Sequence, residues 1–312
     1  MHIKYFKTAF IGMVFLGVFS AVLTSCSSDD NESGSTEQPT DGRKLRQLTI
    51  TDVPITRAML TDNTTSLGAT WSAGDKATYF NLSSYNSTVM HFGTLISSKA
   101  ATKSTFTGTV QCAQGEKIAL FYPATDPFTS GSDRGTFAIN LSGQKGTLED
   151  VANNYHYIYG VGEITSVTDN TAKATIASTK SLLAVCKFTF KDKDNTDVGI
   201  PVKELTIGYG NYKYPLSGTV KPFNNASSVV ANPAASNTWT IPLTVTLENE
   251  KVDGVVYVAL FPCGNASRED FQDFHFTVTG SAGTYTGTAT AKLNAGKFYP
   301  VTLNLTKQIS NN

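Results

Sequence analysis

Short runs in which apolar and polar residues alternate follow one another along most of the chain. In the run 45–53, Leu48, Ile50 and Val53 lean toward one side, with threonines between them. Alternation with a period of two is typical of a β-strand that buries one face. Turn-forming residues interrupt the runs about every ten residues, and no segment has a long apolar period of 3.6 residues. The pattern predicts an all-β, antiparallel fold.

The predicted strands fall into two series. The first comprises 45–53, 77–82, 88–95, 104–110, 117–122, 135–141 and 155–160, and the second comprises 182–190, 203–209, 212–220, 238–245, 255–261, 271–278, 283–291 and 298–305. Polar residues near 169–171 and 178–180 separate the series, so we expect two tandem β-sandwich domains, at 45–178 and 179–312. The run 182–190 is nearly continuously apolar, as in a central strand, and short helices are predicted near 148–154 and 268–273.

The N-terminus has the pattern of a secretory signal peptide. Lysines precede the fifteen-residue apolar segment 9–23, which is too short for a bilayer core, since crossing it takes about 20 residues. Small residues follow this segment, and together these features predict a signal peptide at 1–25. The segment 27–42 contains no apolar residue, so 26–44 is predicted to be a flexible tether.

The charge and the cysteines exclude some partners. Lysine plus arginine and aspartate plus glutamate each number 25, so the formal net charge is zero and no basic face for nucleic acid is expected. Three cysteines follow the tether, Cys112, Cys186 and Cys263, and each lies beside apolar residues. We expect small buried side chains rather than metal ligands, and a disulfide between two of them stays open.

The residues typical of metal and cofactor sites form no recognisable motif. His91, His156 and His275 are scattered, and His275 is expected on the solvated face of a strand. The segment 192–197 resembles a calcium loop, but its sixth position is Asp197 rather than glycine, which favours a polar hairpin turn. We therefore predict no cofactor and no metal.

Two further possibilities concern catalysis and sugar binding. No catalytic motif is present and we predict no enzyme, although a hydrolase stays open if carboxylates such as Asp75, Glu116 and Asp270 meet in the fold. The aromatic residues Tyr209, Tyr212 and Tyr214 could form a platform for sugar, but aromatic side chains alternating along strands more often pack in the sheet.

The backbone itself offers another kind of chemistry. Arg57 follows the first predicted strand in a polar loop flanked by proline, where proteases have access. Cleavage between Arg57 and Ala58 would release the strand 45–53 with its tether. The gap would be an apolar groove lined by unpaired backbone groups, which is a template for a strand of another chain. The alternative is that Arg57 is an ordinary solvated loop residue.

The leader ends in Leu23-Thr24-Ser25-Cys26, which resembles a bacterial lipoprotein signal. This resemblance implies that Cys26 is acylated, as with palmitate, and becomes the N-terminus of a membrane-anchored protein. The acidic stretch after it, 27–30, resembles the signal that directs some Gram-negative lipoproteins to the outer face of the outer membrane. The expected location is therefore the cell surface.

Several stretches together resemble the fimbrillin family, the subunits of type V pili. They are the leader, Thr56-Arg57-Ala58, Trp71-Ser72-Ala73-Gly74-Asp75, the run 182–188 and the closing run 293–303 with Ala295-Gly296-Lys297-Phe298-Tyr299. The resemblance implies two transthyretin-like β-sandwiches, a lipidated precursor, and an arginine-specific protease that cuts after the first strand. Arg57 matches that cleavage position best, because Arg43 and Arg46 are expected to precede the strand.

In shaft subunits of that family, a neighbour's C-terminal strand fills the groove that the cleavage leaves. Here only 306–312 follow the last predicted strand, and Ile309 is the one apolar residue among them. Either the last strand itself swings out, or the chain is a tip or anchor subunit. The leading hypothesis is a fimbrial subunit or adhesin, with other pilus subunits and outer-membrane lipid as partners. The alternative is a monomeric surface lipoprotein that binds a glycan or host protein.

Overall fold

The computed structural model describes residues 43–55, 59–63, 66–84, 89–130, 134–209, 212–213, 216–220, 231–233, 243–262 and 272–309. The strands are β1 (Lys44–Pro54), β2 (Met59–Asp62), β3 (Leu67–Thr70), β4 (Lys76–Asn81), β5 (Phe92–Ser97), β6 (Lys103–Cys112), β7 (Lys117–Tyr122), β8 (Phe137–Asn140), β9 (Ile158–Val167), β10 (Thr171–Ser181), β11 (Ala184–Asp192), β12 (Asn195–Gly199), β13 (Val202–Tyr209), β14 (Tyr212–Lys213), β15 (Ser217–Val220), β16 (Ala231–Pro233), β17 (Leu243–Lys251), β18 (Val255–Leu260), β19 (Gln272–Gly280), β20 (Gly283–Ala291) and β21 (Phe298–Lys307).

Helical structure in these residues is short. A 3₁₀ turn covers Leu82–Ser84, and the helix α1 (Leu148–Asp150) continues into a π-helical turn at Val151–Tyr155. The Thr147 side chain caps α1 by accepting from the Asp150 N–H, which confirms the helix predicted near 148–154. None of these helical pieces is long and apolar enough to span a membrane.

The first sheet closes into a barrel in the order β1-β10-β9-β7-β4-β5-β6. β1 closes it, because β1 pairs antiparallel with β6 on one side and parallel with β10 on the other. The barrel encloses an apolar core that includes Ile50, Trp71, Phe106 and Ile164. The all-β prediction is confirmed, but this sheet is a barrel and not the expected sandwich.

The second sheet has nine strands and runs in the order β12-β11-β21-β20-β19-β13-β14, with β18 paired to β11 and β17 paired to β13. β11 lies between β18 and the parallel strand β21, as expected for the nearly continuous apolar run 182–190. A smaller sheet, β16-β15-β8, pairs a strand of the first predicted domain, β8, with two strands of the second, of which β16 was not predicted.

A second apolar core joins the outer face of the barrel to the nine-stranded sheet. It contains Phe80, Phe121 and Tyr159 from the barrel strands together with Phe188 and Phe190 from β11. β4 and β7 are therefore buried on both faces beyond their first residue. Residues 41–312 cluster as one compact unit, and the predicted boundary at 178/179 falls within β10. A division into two domains stays a prediction.

Candidate functional site: the slot of the first strand

β1 fills a position between β6 and β10 that we call the β1 slot. In the register, Gln47–Ile50 pair with Thr171–Ala174 of β10, and Lys44–Pro54 run antiparallel to β6 from Cys112 to Lys103. Both edges of β1 are thus paired, which is the most that a strand in a sheet can obtain from its neighbours. The strand predicted at 45–53 is confirmed, with one additional residue at each end.

Three apolar side chains of β1 point into the barrel, whereas a fourth, that of Leu45, is exposed. Leu48, Ile50 and Val53 are all 0% exposed and belong to its core. Full burial of a side chain of this size contributes about 1.5–3 kcal/mol. Leu48 pairs with Gly108 of β6, where an added Cβ would lie only 2.4 Å from the backbone oxygen of Thr94. β6 therefore has no room for a side chain at Gly108, because β5 approaches it closely from the side away from β1.

The N-terminal end of β1 is held by hydrogen bonds from Arg46 and by an ion pair of Arg43. Arg46 is only 7% exposed, and its guanidinium donates to the backbone oxygens of Thr168, at 2.7 Å, and of Cys112. Arg43 pairs with the carboxylate of Glu116. These three acceptors, the Cys112 oxygen, the Thr168 oxygen and the Glu116 carboxylate, are called the acceptor end of the slot.

Residues outside β1 fix the acceptor end in place. Glu116 is 8% exposed, and one of its oxygens accepts from the Asn81 side-chain amide and from the Ala113 N–H, both at 2.7 Å. Burial raises the pKa of the Cys112 thiol and the pKa of Tyr79, so both groups are neutral at physiological pH. The acceptor end therefore carries one buried negative charge, whose cation comes from the segment that begins β1.

Two side chains hold the C-terminal end of β1. The Trp71 indole N–H donates to the Val53 backbone oxygen at 3.0 Å, and the Thr179 hydroxyl donates to the Pro54 oxygen at 2.9 Å. Between Ile50 and Val53 the strand has a β-bulge, where Asp52 adopts a φ of 52°. Few residues other than glycine, asparagine and aspartate adopt this left-handed conformation readily.

The hairpin of β2 and β3, downstream of the predicted cleavage position, is anchored separately. Asp62 accepts from Lys187 at 2.5 Å and from the Tyr257 hydroxyl at 2.6 Å, which ties the hairpin to β11 and β18. The hydrogen bond to Asp62 raises the pKa of Lys187, so this cation persists at physiological pH. These two contacts of Asp62 are made with β11 and β18 and not with β1.

The residues predicted for lipidation and processing, Cys26, Arg57 and Ala58, lie outside the described residues. One part of the prediction was wrong: Arg46 lies inside β1 and does not precede it. Its alternation with Leu48 and Ile50 placed it on the buried face, so the sequence contained a signal for this role that was not used. A buried guanidinium with two backbone acceptors is inaccessible to a protease in the folded chain.

The dispersed carboxylates do not converge. Asp75 precedes β4 and Glu116 precedes β7, and because these strands are antiparallel the two carboxylates lie at opposite ends of the pair. Asp75 instead accepts from the Ser72 N–H in the turn after Trp71, and Asp270 lies outside the described residues.

The remaining candidates are placed as follows. Asp192 and Asn195 flank the turn between β11 and β12, which confirms the polar hairpin, and His275 is exposed on β19 as predicted. Cys112 and Cys186 are buried, whereas Cys263 and Tyr214 lie outside the described residues. Within the described ranges, no group of three or more His, Cys, Asp or Glu side chains could hold a metal ion.

Comparison with known proteins gives distant structural matches alone. No family model matches the chain, and no curated protein matches it. The matching crystal structures include three of proteins described as candidate cell adhesion proteins. The Bacteroides eggerthii protein is 12% identical, with TM-score 0.43, covering 84% of this chain and 86% of that chain. The Bacteroides fragilis protein is 11% identical, with TM-score 0.45, covering 86% of this chain and 95% of that chain. The Parabacteroides distasonis protein is 10% identical, with TM-score 0.41, covering 83% of this chain and 88% of that chain.

With TM-scores below 0.5, these matches carry no argument about function. What the chain can do must be inferred from the β1 slot and the residues around it.

Proposed function

We propose that this protein is a non-enzymatic subunit or adhesin of a cell-surface fimbria. In this proposal Cys26 is acylated and anchors the precursor in the outer membrane, where cleavage between Arg57 and Ala58 frees β1. A strand of another pilus subunit then enters the β1 slot. We also propose that the chain forms two tandem domains, 45–178 and 179–312, of which the first carries the slot.

The position of β1 is the observation that supports this proposal most strongly. β1 is the first described strand, it completes a closed barrel, and three of its apolar side chains, Leu48, Ile50 and Val53, are fully buried. Residues 56–58, with Arg57, follow directly after it. A single cut there would separate a fully integrated strand from the strands that it pairs with.

Departure of β1 would leave a surface that favours another strand. The facing edges of β6 and β10 would lose their backbone partners, and the cavities of Leu48, Ile50 and Val53 would open to water. An incoming extended segment satisfies both, because its backbone pairs with the edges and its alternate side chains fill the cavities. The contacts of Asp62 also support release of β1 alone, since they hold the chain downstream of the cut to β11 and β18.

The last strand supports a role as acceptor rather than donor. β21 lies inside the nine-stranded sheet and pairs with β11 over the eight residues from Phe298 to Leu305. Leu303 and Leu305 are also buried there. Extracting β21 would break this sheet in its interior. We therefore propose that the chain receives a strand and is a tip or anchor subunit.

The test combines mass spectrometry of the native protein with a variant. In wild-type cells we expect surface-exposed protein that begins at Ala58, and in the Arg57→Ala variant protein that begins at acylated Cys26 and forms no assemblies. Arg134→Ala is the matched control, because Arg134 is a loop arginine remote in sequence from β1, and its maturation should be normal. Normal fimbriae built from the Arg57→Ala variant would contradict the proposal.

Cysteine alkylation gives a second readout of β1 departure. Cys112 pairs with Lys44 of β1 and is buried, and Cys186 is buried in β11. Cleavage and release of β1 should accelerate alkylation of Cys112 and leave Cys186 unreactive. Equal protection of both thiols after the cut would mean that β1 stays in its slot.

One observation favours the alternative of glycan binding by a monomeric surface lipoprotein. The β13–β14 register pairs Tyr209 directly with Tyr212. Binding on a glycan array that disappears in Tyr209→Ala and Tyr212→Ala variants would support this function, whereas unchanged binding would exclude these residues from it.

A further inference from the structure

We infer that the β1 slot selects a strand from a different protein, with a cation at the position of Arg46, apolar side chains at the positions of Leu48, Ile50 and Val53, and a residue tolerant of positive φ at the position of Asp52. This inference rests on the proposed function, since it names the partner of the same slot. β1 itself supports this inference, because it occupies the slot and its side chains match each feature of the slot.

The cation is required because the acceptor end is built for it. The Arg46 guanidinium reaches two backbone oxygens, of Thr168 and Cys112, from a position that is almost fully buried. A neutral apolar side chain in its place would remove these donors from buried acceptors, and hydrogen bonds to charged groups contribute more than neutral ones. The buried carboxylate of Glu116, paired with Arg43, adds a negative charge at the same end.

The spacing of the apolar positions is set by the bulge. From Arg46 to Ile50 the inward positions follow a period of two, but Ile50 pairs with Phe106 and the next paired residue, Val53, pairs with Ser104. The third apolar side chain therefore comes three residues after the second. The intervening left-handed residue costs about 1–2 kcal/mol for most side chains, and glycine adopts it without strain. The Asp52 backbone therefore favours glycine, asparagine or aspartate in the partner strand.

The chain's own last strand does not have this pattern. If Leu303 and Leu305 occupied the positions of Leu48 and Ile50, Val301 would stand where Arg46 stands. A shift by two residues places Tyr299 there. A further shift by two residues places Lys297 at the position of Arg46. In that register Pro300, which has no N–H, lies between the positions of Leu48 and Ile50. The last strand of a second copy is therefore a poor donor, and the fitting C-terminal strand belongs to a different subunit.

Peptide binding tests the inference on the full chain in detergent. A protease recognition sequence is inserted between Arg57 and Ala58, the chain is cut, and a fluorescent peptide of residues 43–54 is exchanged into the slot and followed by anisotropy. We expect the wild-type peptide to bind and the Arg46→Met peptide to bind at least about tenfold more weakly. Lys44→Met is the matched control, because the Lys44–Asp169 pair is exposed, and it should weaken binding less than about fivefold.

Two further peptides test the remaining features. Asp52→Gly should bind at least as tightly as the wild type and Asp52→Val more weakly, because valine is strained at positive φ. A peptide of residues 297–307, which contains β21, should bind more weakly than the β1 peptide. Equal binding of the Arg46→Met and wild-type peptides would overturn the inference and leave the proposed function intact. Failure of every peptide to enter the cut chain would instead refute the proposed function.

Discussion

Truncation of Ile50 tests whether β1 is an integral strand of the barrel in solution. Ile50 is fully buried and pairs with Phe106 of β6 and Ala174 of β10. Ile50→Ala removes three carbon atoms, which at about 0.8 kcal/mol each corresponds to about 2.4 kcal/mol of lost transfer free energy. Because β1 is held on both edges, the neighbours cannot collapse fully into the space, and the cavity raises the expected loss to about 3–4 kcal/mol.

The loss is measured by equilibrium urea unfolding of the uncut chain, followed by circular dichroism. Thr51→Ala is the matched control, since Thr51 is the next residue of the same strand and is exposed, and its effect should stay within about 0.5 kcal/mol. The midpoint for Ile50→Ala should fall without a change in the slope against urea. Similar small losses for both variants would show that β1 is not docked, and the slot would lose its basis.

Two more predictions concern contacts away from β1. The Tyr159 hydroxyl is buried with no hydrogen-bond partner among the described residues, so Tyr159→Phe should leave the free energy of unfolding unchanged or raise it by about 1 kcal/mol. Tyr155→Phe loses a 2.7 Å hydrogen bond to the Ser142 oxygen and should lower the free energy of unfolding by about 1 kcal/mol. Equal losses for both variants in urea unfolding would contradict this prediction. Asp62→Asn should lower stability by about 1–2 kcal/mol. Because the folded pKa of Lys187 is raised above its ordinary 10.5, this difference should stay constant from about pH 7 to about pH 10 and shrink as the pH rises through the folded pKa. Denaturation at several pH values measures it, and a difference that already shrinks between about pH 7 and pH 9 would assign the effect to another group.

Strands with a strong local pattern could be predicted from the sequence closely. β7 and β20 have the predicted bounds, because each has regular alternation or a dense apolar run that ends at a turn. β5 and β9 were misplaced by several residues. In β9 the predicted start overlaps the helical turn at 151–155, where a capped helix takes residues that a strand pattern also fits.

β10 shows what local patterns miss. Its inward residues include Ala172, Ala174 and Ile176, and the first two are too small to give an apolar signal among lysines and threonines. The sequence was therefore interpreted as a polar boundary, although β10 is the parallel partner of β1. The hairpin of β2 and β3 was missed for a similar reason, since a polar loop was expected there.

The closure of the barrel could not be predicted from alternation at all. A strand with one buried face has the same pattern in a sandwich and in a barrel, and the difference lies in which edges pair. The functional contacts are equally non-local. Arg46 is hydrogen-bonded to Thr168, and Trp71 to Val53, so neither role is visible before the strands are assembled.

The pairing of β1 with β10 has a consequence for the order of events during biogenesis. Leu48 and its partner Ala172 are separated by 124 residues (172 − 48), and contacts between such distant segments form late because a long loop must close first. The segment that forms β1 is synthesised long before β10, yet it must wait for this last strand of the barrel. Docking of β1 is thus a concluding step, and a nascent molecule has an interval in which another extended segment competes for the same place.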